Sequence, residues 1–187
     1  ILMVDNMKST LMKIRDKSHN TFNFWCNPIG WAPESASAIL TVARLDWLSD
    51  LTDSLEIWVG RSFYLTQGEL LLACSNVGAL VEGWLKLFYC VYYEDYSKAP
   101  VINRKGTMIA PNDLKFENLK QFSRGILWES GSDWDDWIER IQYKRNAIHA
   151  FNTRDIGSSM EFLKDIDNFY EFISIIDSRL PYPDHWF

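Results

Sequence analysis

With 187 residues, 47% of them hydrophobic and 24% charged, the chain has the size and composition of one globular domain with a substantial core. Its net charge of −6 argues against a protein that coats nucleic acid through overall basicity, so any nucleic-acid contact must be local. Three cysteines (Cys26, Cys74, Cys90) without a pairing pattern or metal-ligand spacing argue against a disulfide framework and fit a reducing, cytoplasmic compartment.

Residues 1–19 predict a short amphipathic helix with Leu2, Met7, Leu11 and Ile14 on one side. No sustained apolar run follows Ile1, because Asp5 and Lys8 interrupt it, so no secretory leader is expected. From Thr21 to Pro33 the chain mixes Asn, Pro and Gly with Phe22, Phe24, Trp25 and Trp31, which predicts a packed loop. Residues 1–33 thus read as an N-terminal extension, and 34–183 as the bundle core.

Pro33-Glu34-Ser35 opens a helix with the stripe Leu40, Ala43, Trp47, Leu48, Leu51, Leu55 and Trp58, ending near Gly60. A second long helix runs from about Thr66 to about Tyr96. It is apolar on most sides, as a central bundle helix must be. Glu82 and Lys86 interrupt its most apolar part, which favours a core helix over a membrane span. Residues 97–112 read as a loop. A third helix is expected from about Asn112 to Trp128, with Leu114, Leu119, Phe122 and Ile126 inward.

Ser130-Gly131-Ser132-Asp133 supplies a break and a cap for a fourth helix from about Trp134 to Phe151. A last helix, about Ser159 to Arg179, carries Phe162, Ile166, Phe169, Ile173, Ile176 and Leu180 on one stripe and stops before Pro181. No stretch alternates with period two. The expected fold is all-α: an antiparallel helical bundle of four to five helices in a single domain.

The fourth helix carries the chemistry. At ~100° per residue, Trp134, Trp137, Ile138, Ile141 and Ile148 share one face with Arg145 and His149, and Asn152 continues it. An Arg on an inward stripe needs an anion. Three sources are open: an acid of this chain, with Glu82 the obvious candidate; an acid of a second copy; or a bound phosphate. Arg140 and Lys144 lie on the adjacent flank, four residues apart. There they are either a solvated face or a basic strip that guides an RNA backbone together with Arg154. Trp134 and Trp137 read as core or as interface.

The segment Tyr143-Lys144-Arg145-Asn146-Ala147-Ile148-His149-Ala150-Phe151, on a helix followed by a turn and a last helix, resembles the signature of the HEPN superfamily of helical nucleotide-binding and RNase domains. Val81-Glu82-Gly83-Trp84-Leu85-Lys86 resembles that superfamily's early core helix. Arg179-Leu180-Pro181-Tyr182-Pro183-Asp184 resembles the ending of uncharacterised bacterial members. The resemblance implies metal-independent RNA cleavage of a toxin or defence type. His149 would act as general acid or base, Arg145 would hold the phosphate, and Asn146 would orient the reacting groups. It also implies a homodimer with two such helices across a twofold axis, RNA or a nucleotide as ligand, and an antitoxin protein as partner. The family pattern usually sets a wider interval between Arg and His than the three residues here, which leaves open a non-catalytic module binding nucleotide, nucleic acid or protein. No phosphate loop, zinc motif or nucleophile elbow occurs, so neither cofactor nor metal is expected.

Overall fold

The computed structural model describes residues 2–149, 151 and 153–183. Asn152, expected to extend the motif face, and Asp184 and His185 lie outside the described residues, as does the side chain of Leu2. The described residues are all-α: apart from two isolated bridges, every regular element is a helix.

The first helix, α1 (Leu2–Trp25), is longer than the sequence predicts. No Gly or Pro interrupts it before Pro28, and Ile14, Phe22 and Trp25 are all fully buried. The supposed extension therefore supplies part of the core, packing on α3 and α9.

The single helix expected over 34–60 is three: α2 (Glu34–Val42), α3 (Leu45–Asp53) and α4 (Leu55–Gly60). The chain turns at Ala43, whose backbone is extended. It bends again at Ser54, where the hydroxyl donates back to the Asp50 carbonyl at 2.9 Å, a contact that commonly bends helices. The turn leaves Trp47 58% exposed, although a continuous stripe would have placed it inward.

The centre is α5 (Gln67–Val91), opened by a capping box. Thr66 Oγ1 accepts from the Glu69 amide, and Glu69 Oε2 accepts from the Thr66 amide. Leu80, Val81, Trp84 and Leu85 are fully buried at its middle. It is long and apolar enough to cross a membrane by length and composition, and 61% of its most apolar window is buried inside the molecule. A short α6 (Tyr93–Lys98) follows.

The third helix is also shorter than predicted. A 3-10 turn at Pro111–Asp113 precedes α7 (Phe116–Ser123), and Ile126 lies beyond it, 42% exposed rather than inward. Next come α8 (Asp133–Arg145) and α9 (Ser159–Ser178), both packed on α5. The α9 stripe is buried as expected, Phe162 through Leu180.

Candidate functional site

The site grows from α8. Ser132 caps its first turn, accepting from the Asp135 amide at 3.3 Å. Asp133, Asp135 and Asp136 occupy that turn, and Lys144 and Arg145 the last, each sign at the end the helix dipole favours. Asp135 also receives Arg124 Nε at 2.8 Å, Trp128 Nε1 at 3.0 Å and the Gly131 amide at 2.9 Å. The Arg124 guanidinium, followed by these other donors, holds its carboxyl well below the usual value, at about 2.

Lys144 corrects the sequence reading. It is buried, neither a solvated face nor an RNA guide, and its Nζ donates to Asp165 Oδ2 at 2.8 Å. Trp137, also buried, donates to Asp165 Oδ1 at 3.1 Å. Asp165, reaching across from α9, supplies the anion. Trp137 is thus core and Trp134 packs half-buried against it, their rings 5.5 Å apart. Arg140 is about half exposed, 4.0 Å from Asp165. Arg154 is exposed and lies over the Tyr143 ring at 5.2 Å.

The α-helix ends at Arg145 rather than running to Phe151, and Asn146–His149 form a 3-10 turn. Helix ends commonly tighten this way. The tighter winding sets His149 roughly 100° from Arg145 around the axis, where a continuous α-helix gives ~40°. Ile148 and His149 are exposed, so Ile148 is not on the inward stripe.

Arg145 crosses α5 at Gly78, where an added Cβ would stand 2.3 Å from the Arg145 Cβ. Glycine there lets the two helices touch. Nη2 of Arg145 donates to Glu82 Oε2 at 2.8 Å, and Nη1 to Asn146 Oδ1 at 3.1 Å. The other Glu82 oxygen receives Lys86 Nζ at 3.0 Å. Of the three anions open to Arg145, the internal carboxylate is the one it meets.

The pair is not sealed. The Arg145 side chain is 33% exposed and stands on the wall of an open groove of about 360 Å³ between α3 and α5. Arg44, Lys86 and Arg145 line this groove against the single carboxylate Glu82, with Trp47 and Asn112 beside them. Arg44 lies 4.1 Å over the Trp47 ring and pairs with Asp46. His149 is not among the groove's lining residues.

Arg44, Trp47 and Asn112 were missed by sequence reasoning as site residues. The helix break at Ala43 that brings the first two to the groove carries no Gly or Pro marker. Lys86, four residues after Glu82 on a helix, was the readable signal. Cys74 and Cys90 are buried; burial raises their thiols to about 11 and about 12, so neither is a nucleophile near neutral pH. Among the described residues no group of three or more His, Cys, Asp or Glu is placed to hold a metal ion. Compared with known proteins, the chain matches no family model, no curated protein and no solved structure.

Proposed function

We propose that this chain is a HEPN-like helical module that binds a phosphate of a nucleotide or RNA strand in the groove between α3 and α5. One observation carries the reading: three cations, Arg44, Lys86 and Arg145, line one open groove with Glu82 the single carboxylate in its wall and Asp46 paired with Arg44 beside it, in a protein of net charge −6. Arg145 presents a planar fork suited to phosphate, and Glu82 holds that fork in place while no ligand is bound. Trp47, with Arg44 over one face of its ring, offers the other face for a base to stack on.

A labelled single-stranded RNA followed by fluorescence anisotropy tests this. Arg145→Ala and Lys86→Ala should each weaken binding about tenfold and flatten its salt dependence by roughly one ion per removed contact. Unchanged affinity in a folded Arg145→Ala protein contradicts the proposal.

RNA cleavage is the second reading. It is favoured by the exposed imidazole of His149 at the end of the 3-10 turn that begins at Asn146, directly after Arg145. With Arg145 and His149 turned apart on one chain, cleavage here calls for a homodimer in which His149 of one copy serves the groove of the other. An antitoxin-type partner would act by covering the groove. A gel assay on the same RNA reads this directly: metal-independent cleavage lost in His149→Ala supports it, and intact RNA with wild-type protein rejects it.

A further inference from the structure

The segment read from sequence as a loop, between α6 and α7, folds back on itself as a short arm. Ile102 faces Met108 in an antiparallel bridge. The Ile109 amide donates to the Val101 carbonyl at 2.9 Å, and the Asn103 amide to the Thr107 carbonyl at 2.8 Å. The tip is a tight turn closed by the Gly106 amide on the Asn103 carbonyl at 3.0 Å. Gly106 takes the left-handed conformation such a turn needs, with φ of 77°. Asn103 Oδ1 accepts two more amides, from Lys105 at 2.9 Å and Thr107 at 3.1 Å. At the base, Tyr96 Oη donates to the Ile109 carbonyl at 2.7 Å and accepts from the Val101 amide at 3.1 Å. The arm is thus braced at both ends.

What it carries is exposed. Arg104 and Lys105 stand at the tip, and neither side chain has a hydrogen bond or ion pair among the described residues. Residues 99–112 hold these two cations and no acid, in a chain with 25 acidic and 19 basic residues. The three groove cations, by contrast, each meet a carboxylate. Ile102 is 61% exposed and Met108 36%, side by side on one face of the arm. A partner held there meets groups already fixed in place, which lowers the entropy lost on binding.

The arm also leaves the bundle beside the groove. Asn112 lines that groove and follows Ile109 by three residues, so their Cα atoms are at most about 11 Å apart. Four residues separate Ile109 from Lys105, about 13 Å of strand. The tip cations therefore lie within about 25 Å of the groove wall, inside the reach of a strand of roughly four to sixteen nucleotides.

We propose that this arm is a second backbone contact for single-stranded nucleic acid: with one phosphate in the Arg145 groove, Arg104 and Lys105 hold a phosphate further along the same strand. This rests on the groove being a phosphate site, and it makes a strand, rather than a mononucleotide, the preferred ligand. An anionic membrane suits the arm less well, because basic segments that bind one usually carry about four to eight Lys or Arg, and the arm has Arg104 and Lys105 alone.

Arg104→Gln combined with Lys105→Gln removes the charge at exposed positions and leaves the bundle untouched. A labelled RNA of about twelve nucleotides, followed by anisotropy, reads groove and arm together; uridine monophosphate, titrated by calorimetry, reads the groove alone. The arm variant should bind the strand about tenfold more weakly and lose roughly 1.4 from the slope of log affinity against log salt. It should bind the monophosphate as wild type does. Lys8→Gln with Lys13→Gln makes the same change of net charge on the first half of α1 and should leave strand affinity within about twofold, as expected for screened, distant charges. Equal strand affinity in the arm variant and wild type, or an equal loss in the α1 variant, overturns the proposal, while monophosphate binding shows whether the groove survives it. A wild-type protein that binds neither strand nor monophosphate removes groove and arm together. Sedimentation with phosphatidylserine vesicles that is lost in the arm variant, with strand affinity unchanged, overturns the proposal in favour of a membrane.

Discussion

Gly78 decides how closely α8 approaches the central helix, and so where Arg145 points. With an Arg145 carbon 2.3 Å from any added Cβ, Gly78→Ala must push the two helices apart. The expected loss is about 1–3 kcal/mol, as for other overpacked cores. RNA affinity should fall with it, because Arg145 moves off the groove wall; chemical denaturation and anisotropy on the same variant check both.

Lys144 and Asp165 pose the opposite problem, a buried pair between α8 and α9. Lys144→Ala strands the Asp165 carboxylate and should cost about 3–5 kcal/mol. Lys144→Met combined with Asp165→Asn removes both charges, keeps an acceptor for Trp137, and should recover most of that loss. A double variant no more stable than the single one would show that the pair is not the source of the cost.

At the scale of the elements, periodicity was readable where one face alone decides burial. The α9 stripe repeats every three to four residues and is buried throughout between α1 and α5. It was unreadable where a partner from elsewhere decides. Lys144 looked like a flank residue on a helical wheel, because Asp165 lies on the next helix. Trp47 looked inward, because the turn at Ala43 has no punctuating residue. The fourth helix looked continuous to Phe151, because nothing in Asn146–His149 announces a 3-10 turn. Glu82 was legible as the partner of Arg145 because a carboxylate on an apolar helix needs a cation as much as the Arg needs an anion.

The start of α8 carries one source of acid sensitivity. The Asp135 carboxyl is held at about 2, against 3.8 for a free side chain. Its contribution to stability is complete above about pH 4 and is lost as the pH falls toward 2, when the folded carboxyl takes up its proton. Urea midpoints across that interval should drop in the wild-type protein. Asp135→Asn should flatten this part of the profile, and an identical slope in both proteins would remove Asp135 as its cause.

For the whole molecule, an acidic chain brings three cations, each paired with a carboxylate, to the groove where α3, α5 and the end of α8 meet. Glu82 both positions that charge and competes with any phosphate for it. The account stands on Arg145 being able to exchange this carboxylate for a phosphate. The most direct test is the affinity of a nucleoside monophosphate for Glu82→Gln compared with wild type. With the internal anion removed, Arg145 and Lys86 are freed, and binding should tighten about tenfold. Unchanged or weaker binding in a folded Glu82→Gln protein would mean that the Arg145–Glu82 pair is a structural contact and that the groove is not a phosphate site.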